Sequence, residues 1–199
     1  MIVLLDNGHG EETSGKRSPD GTLREYAWTR ELAIRIQSSL KQDGIECILI
    51  TPETEDISLS VRTSRVNQIV ANGENTKDFC LISIHNNAAG SDGNWHNASG
   101  WSVFVSNNSS ANSKKLATLF VETSENDFGL KTRKYSNTEP YWTQNLAICR
   151  DTKCPAVLTE NMFMDNRSDY EYLMSEDGKI ELANLHVAAI KKYINWIEE

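Results

Sequence analysis

Two histidines stand where a folded chain has little packing use for them. His9 lies between glycines in Asp6-Asn7-Gly8-His9-Gly10, directly after the apolar run 2–5. His85 ends the apolar run 79–84 and is followed by Asn86-Asn87. Either imidazole alone reads most simply as a hydrogen-bonded loop residue. Two of them at the carboxyl ends of two strands can converge on one metal ion. A catalytic zinc site takes three protein ligands and leaves one position for water. Glu25 is a candidate third ligand, because it follows the turn Pro19-Asp20-Gly21 and falls in the first turn of a helix. An acidic residue favoured there by the helix dipole is the alternative. Glu160 closes the apolar run 155–159. A carboxylate at the end of a buried strand must be paired, solvated in a cleft or neutralised. It can serve as a proton shuttle beside a metal-activated water, or it can form an ion pair with Arg150.

The same first loop also passes close to a phosphate-binding pattern. Gly10-Glu-Glu-Thr-Ser-Gly15-Lys16-Arg17 has arginine where a P-loop needs serine or threonine. Glu11 and Glu12 would set negative charge against phosphate, and a Pro-Asp-Gly turn replaces the expected helix. Nucleotide binding is therefore set aside.

The elements that must position these residues alternate. Strands are expected at 2–5, 45–51, 79–85, 100–106, 146–150 and 156–159, and helices at 24–43, 59–72, 114–127 and 178–196. Trp28, Leu32, Ile36 and Leu40 recur at spacing four, and Gly44 stops their helix. Apolar strands interleaved with amphipathic helices predict one α/β domain over 1–199. Its form is a three-layer sandwich: a twisted, mostly parallel sheet of about six strands with helices on both faces. Ligands in such sheets gather beyond the carboxyl ends of strands, where the four residues fall.

Composition narrows the classes. At 199 residues, with 39% hydrophobic and 24% charged side chains, the chain has the make-up of an ordinary globular domain. Its net charge of −8 argues against general affinity for nucleic acid or anionic lipid. Its apolar runs are too short to span a bilayer. The four cysteines form no C-x-x-C pair and read as buried thiols. The N-terminus has no basic segment ahead of a long apolar stretch. The expectation is a protein held in the cytoplasm until release, or a trimmed form of an exported one.

Six segments, in order, resemble the zinc-dependent N-acetylmuramoyl-L-alanine amidases of the type-3 family. Ile2-Val-Leu-Leu-Asp6-Asn7-Gly8-His9-Gly10 is similar to the family's first strand and Asp-Pro-Gly-His-Gly loop. Gly21-Thr-Leu-Arg-Glu25 is similar to its Gly-x-x-x-Glu helix start, and Leu59-Ser-Val-Arg62-Thr-Ser-Arg-Val-Asn67 to its Leu-x-x-Arg-x-x-x-x-Asn helix. Leu81-Ile-Ser-Ile-His85-Asn-Asn87-Ala88 resembles its Ser-Ile-His-x-Asn-Ala strand end. Ser99-Gly100-Trp-Ser-Val103 and Pro155-Ala-Val-Leu-Thr-Glu160 resemble its last two catalytic-domain strands. Two departures stand out: Asn7 replaces the usual proline, and Glu160-Asn-Met-Phe replaces the commoner Glu-x-Gly-Phe.

The resemblance implies one Zn2+ per chain on His9, Glu25 and His85, a zinc-bound water as nucleophile, and Glu160 as general base and then acid. The bond cut would join N-acetylmuramic acid to L-alanine of the stem peptide. It further implies a hydrolase of the autolysin or endolysin kind that acts on peptidoglycan in the cell wall, here expected as a monomer. Another zinc peptidase or deacetylase on this scaffold, or a non-catalytic wall-binding module, is the competing reading. Further contacts are expected from Asn87, from Trp95 and His96 in the loop after His85, and from Tyr141 and Trp142 near Lys131, Arg133 and Lys134. Arg150 is a candidate substrate contact. Asp6 is expected to orient His9 through a hydrogen bond, and His186 to be structural.

Overall fold

The structure, a computed structural model, describes residues 1–199. Six strands form one sheet: β1 (Ile2–Asn7), β2 (Glu46–Leu49), β3 (Phe79–Asn87), β4 (Ser102–Ser106), β5 (Trp142–Gln144) and β6 (Ala156–Phe163). Their order is β2-β1-β3-β6-β4-β5. β1, β2, β3 and β6 run parallel, and β4 meets β6 antiparallel with β5 parallel to β4. The mostly parallel six-stranded sheet predicted from the sequence is the one observed.

Side-chain alternation along these strands builds two cores. Val3, Leu5, Ile82, Ile84 and Val157 face one side, where they meet α1 (Glu25–Gln42), α3 (Ala111–Asn126) and α6 (Glu176–Glu198). Leu4, Leu81, Ala156 and Leu158 face the other, against α2 (Leu59–Ala71) and the short α4 (Ala147–Arg150). The spacing-four stripe of α1 is buried as expected, and Trp28 also donates its indole N–H to the Leu173 carbonyl at 2.8 Å. That bond ties α1 to α5 (Arg167–Met174), a helix not anticipated from the sequence.

One predicted strand is corrected. Of residues 146–150, Leu146 caps and Ala147–Arg150 form α4, and the sheet takes Trp142–Gln144 as β5 instead. Short apolar runs do not distinguish a strand from a buried helical turn. The cysteines are all free and buried, in line with the thiol reading. No helix is long and apolar enough to cross a membrane.

Candidate active site

Strand parity sets the site. β1 and β3 pair Asp6 with Ser83, and β3 and β6 pair His85 with Glu160. Each pair lies beyond or between the apolar residues of the α2 face, so the four polar groups gather in the carboxyl-terminal halves of the central strands, with Glu160 inside β6 rather than at its end. The chain leaves β1 into Gly8-His9-Gly10, and His9 adopts a left-handed φ of 62°. A Cβ on Gly8 would run into the His85 ring, so only glycine lets this loop pass so close to β3. Glu25 opens α1, and its backbone N–H is held by the Lys16 carbonyl at 3.0 Å.

One ligand atom each from His9, Glu25 and His85 can be chosen so that all three lie within 4.8 Å of one another. His85 Nδ1 is 3.2 Å from Glu25 Oε1, and His9 Nε2 is 3.5 Å from Glu25 Oε2. The two imidazoles meet edge to face with centroids 5.0 Å apart. Asn86 donates its backbone N–H to Glu25 Oε1 at 3.0 Å. Glu25 Oε2 has no hydrogen-bond partner although it is fully buried, and Glu160 Oε2 is in the same position. Buried carboxylate oxygens left open in this way are costly unless a cation or proton serves them. Two imidazoles and one carboxylate are a donor set suited to a divalent transition metal. The residues therefore fit such an ion.

The electrostatics agree with that fit. Burial pushes the Glu160 carboxyl up to about 7; Glu25 adds to the rise, and His85 and Lys16 oppose it. Burial works against charge on Glu25 too, but the hydrogen bond and charge of His85, the charge of His9 and the Asn86 N–H outweigh it and hold Glu25 down. Burial disfavours the charged form of His85, yet its bond to Glu25 and the charges of Glu25, Glu160 and Asp6 raise it. Burial brings His9 down to about 4, so it is neutral and free to ligate at physiological pH.

Two cavities lie on this side of the molecule, the first of them lined by two of the clustered residues. One, of about 510 Å³, is bounded by His9, His85, Asp56, Arg62 and apolar side chains including Leu59 and Ile148. The other, of about 480 Å³, lies between residues 14–19 and the loop after β3, and its charged side chains are Lys16, Arg17, Asp92 and Asp165.

Several expected residues lie elsewhere. Asp6 does not bond the His9 ring. Strand parity turns it toward α2, where Oδ1 accepts Arg62 Nη1 at 2.8 Å and Oδ2 accepts the Ser83 hydroxyl at 2.7 Å. Arg62 in turn donates to the carbonyls of Asn7 at 2.6 Å and His9 at 3.2 Å. Arg150 pairs with Asp151 and Asn145 rather than with Glu160 or the cleft. Tyr141 is buried in the core, and Trp142 sits on the edge strand β5, stacked on Phe104. Three strand spacings separate β5 from β3, about 14 Å, so Tyr141 and Trp142 do not belong to the metal cluster itself. The nearby cations are engaged too: Lys131 donates to Ser99, Arg133 lies over Phe163 and Lys134 pairs with Glu125.

Trp95 packs against Tyr170 and under Arg167, and His96 Nε2 lies 2.9 Å from Asp92. Both belong to the rim loop. Asn87 accepts the Ala88 N–H on its side-chain oxygen. His186 is buried between Thr159 and the Leu182 carbonyl, as a structural residue should be.

Arg62 was quoted only as part of a motif and given no task. It falls on the buried stripe Arg62, Val66, Val70 of α2, and a cation on an apolar stripe is the signal that an internal acid awaits it. Asn161 carried no signal. It is fully buried, donates to the His85 carbonyl at 3.0 Å and accepts the Trp101 indole N–H at 3.0 Å.

The chain belongs to the N-acetylmuramoyl-L-alanine amidase family, whose model matches residues 3–192. It is 26% identical over 197 residues to the amidase CwlM of Bacillus licheniformis, covering 97% of this chain and 68% of that one. It is 25% identical over 233 residues to AmiC of Neisseria meningitidis, covering 98% of this chain and 53% of AmiC. In three dimensions it is similar to the catalytic domain of CwlV from Bacillus (Paenibacillus) polymyxa, with a TM-score of 0.79 at 24% identity and 98% of both chains covered. An N-acetylmuramoyl-L-alanine amidase from Clostridium difficile superposes with a TM-score of 0.81 at 24% identity, over 98% of this chain and 96% of that one. The activity of the family is hydrolysis of the amide joining N-acetylmuramic acid to L-alanine, and its substrate is peptidoglycan.

Proposed function

We propose that residues 1–199 form one catalytic domain, acting as a monomer, that carries out this hydrolysis with a single Zn2+ held by His9, Glu25 and His85 and with Glu160 as the proton shuttle. The observation that carries the reading is the pair of buried, partnerless oxygens, Glu25 Oε2 and Glu160 Oε2, at one cluster with two imidazoles. A bound zinc ion supplies Lewis acidity there, polarising the scissile carbonyl and lowering the pKa of the attacking water.

The chain's own groups do the rest. Neutral His9, the Glu25 carboxylate and the unprotonated nitrogen of His85 would offer lone pairs to the ion. Glu160 has a pKa set by burial near operating pH, which suits a group that must both take and return a proton. It accepts the proton of the attacking water and delivers it to the alanine nitrogen as the C–N bond breaks. The water oxygen stays on the lactyl carboxyl, and L-alanine leaves with a free amino group.

Digestion of purified peptidoglycan tests this. New L-alanine amino termini are expected without new reducing sugar ends, with activity abolished by a chelator and restored by zinc. Reducing ends, peptide cleavage further along the stem, or full activity in the chelator would overturn the reading.

A further inference from the structure

The two cavities differ in charge, and the substrate differs in the same way on either side of its scissile amide. On the sugar side it is neutral, with lactyl and acetyl methyl groups. On the peptide side the residue after L-alanine carries a carboxylate, either free or amidated. The 510 Å³ cavity presents Leu59, Ile148 and the carboxylate of Asp56. Its one cation, Arg62, is consumed by Asp6 and three backbone carbonyls. An anionic peptide gains nothing there.

The 480 Å³ cavity is built differently. Lys16 and Arg17 form one wall, and neither makes an ion pair. Lys16 is half-buried, in a chain of net charge −8. It is fixed against the metal cluster, because its carbonyl accepts the backbone N–H of Glu25, and the pairing of Arg17 with Arg24 continues that bridge. On the opposite wall Asp92 is engaged by His96 and the Asn94 N–H, and Asp165 is 5% exposed. Its Oδ2 accepts the N–H groups of Ala89 and Gly90, but its buried Oδ1 has no partner. A cation on one wall and an open acceptor on the other are complementary to a peptide that offers a carboxylate and an N–H.

We propose that this cleft seats the stem peptide, with Lys16, flanked by Arg17, reading the free carboxylate of the residue after L-alanine and Asp165 accepting a peptide N–H. Lys16 is thus a specificity-determining residue that favours acidic over amidated stems. This assignment rests on the amidase reading above.

Two soluble muramyl peptides that differ only in a carboxylate or a carboxamide at that residue test it. Binding is measured by calorimetry on the zinc-supplied Glu160→Gln protein. The acid is expected to bind about tenfold tighter, the scale of one charge-assisted hydrogen bond discounted for partial exposure. Adding Lys16→Ala should bring the ratio near one, and adding Lys16→Arg should keep most of it. The ratio cancels any effect of Lys16 on Glu160 that is common to both ligands. Equal binding of the two peptides, or a preference that survives Lys16→Ala, overturns the proposal. Hydrolysis by the unaltered enzyme runs in parallel. Failure to cleave either peptide while the binding preference stands would defeat the amidase reading and leave the recognition site intact.

Discussion

Arg62 anchors the loop that carries His9, and its loss should be felt both in stability and in metal affinity. Its side chain is 3% exposed and that of Asp6 is 1% exposed. In Arg62→Leu the Asp6 carboxylate stays buried and loses its cation, which costs about 3–5 kcal/mol in comparable buried pairs. Asp6 keeps the hydroxyls of Ser83 at 2.7 Å and Thr51 at 3.3 Å, so the lower end, about 3 kcal/mol, is expected. Urea unfolding followed by tryptophan fluorescence reads this directly. The second effect is local. Without Arg62 the carbonyls of Asn7 and Ile57 lose their guanidinium donor, and the His9 carbonyl keeps only Arg30 at 3.0 Å. His9 must hold a left-handed backbone to reach the cluster. Zinc affinity, measured by competition with a chromophoric chelator, should fall about 10- to 100-fold, the usual scale for losing a group that supports a ligand. The double variant Asp6→Asn with Arg62→Leu should regain most of the stability and little of the affinity. A destabilisation under about 1 kcal/mol, or a destabilised protein with unchanged zinc affinity, would refute the anchoring role.

Glu160→Gln should keep its zinc and lose about 10²- to 10⁴-fold in rate on peptidoglycan; a rate within a few fold of the parent removes Glu160 from the proton path. Gly8→Ala places a Cβ against the His85 ring, so zinc affinity should drop at least about tenfold with a stability cost of about 1–3 kcal/mol. An unchanged metal titration would show that the loop has room after all. In the metal-free protein, burial holds His186 down to about 4 from 6.5. Its contribution is present above pH 6.5 and is lost as pH falls toward 4, by about 3 kcal/mol in full. His9 tilts stability the same way. Glu160, raised from 4.5 to about 7, tilts it the other way, losing stability as pH rises through that range. The readout is therefore the difference between the parent and His186→Gln across pH 4 to 7. Parallel stability curves for the two proteins would contradict the assignment.

What the sequence disclosed follows the range of the signals. The α1 stripe, the apolar runs of β1 and β3, and the polar residues that end them are local patterns of period 3.6 or 2. They place His9, Glu25 and His85 near strand and helix ends, whereas Glu160, expected to close a strand at 159, lies inside β6, which continues to Phe163. Asp6 shows where local reading stops. Its partner depends on which face of the sheet it points to, and that is the Leu4 face toward α2, not the loop above. The place of Trp142 is hidden for a related reason: its distance from the cluster is set by strand order, and no local pattern reveals that β4 and β5 are appended beyond β6. The eight-residue α5 buries only Leu173, too little apolar surface to imprint a period.

Met162 has a φ of 62°, in the left-handed region, as His9 does. It occupies the position of the glycine in the Glu-x-Gly-Phe pattern that this segment resembles, and left-handed backbone costs a side-chain-bearing residue about 1–2 kcal/mol. Its neighbours force the conformation. Asn161 is held by Trp101, Asn86 and His85; Phe163 donates its N–H to Asp169 at 2.9 Å; and Met164 donates to the Asn87 carbonyl at 2.9 Å. The pairing of β3 with β6 shifts register between His85 and Asn87, just past the point where His85 faces Glu160. The methionine side chain is itself buried, so packing offsets part of the backbone cost. One strained residue, His9, is thus itself a candidate ligand, and the other lies two residues after Glu160. Their conformations are held by hydrogen bonds to the surrounding scaffold rather than by the groups they present. A fold that holds the site in this way meets a metal ion with its ligands already gathered, and binding energy is then not spent on ordering the chain.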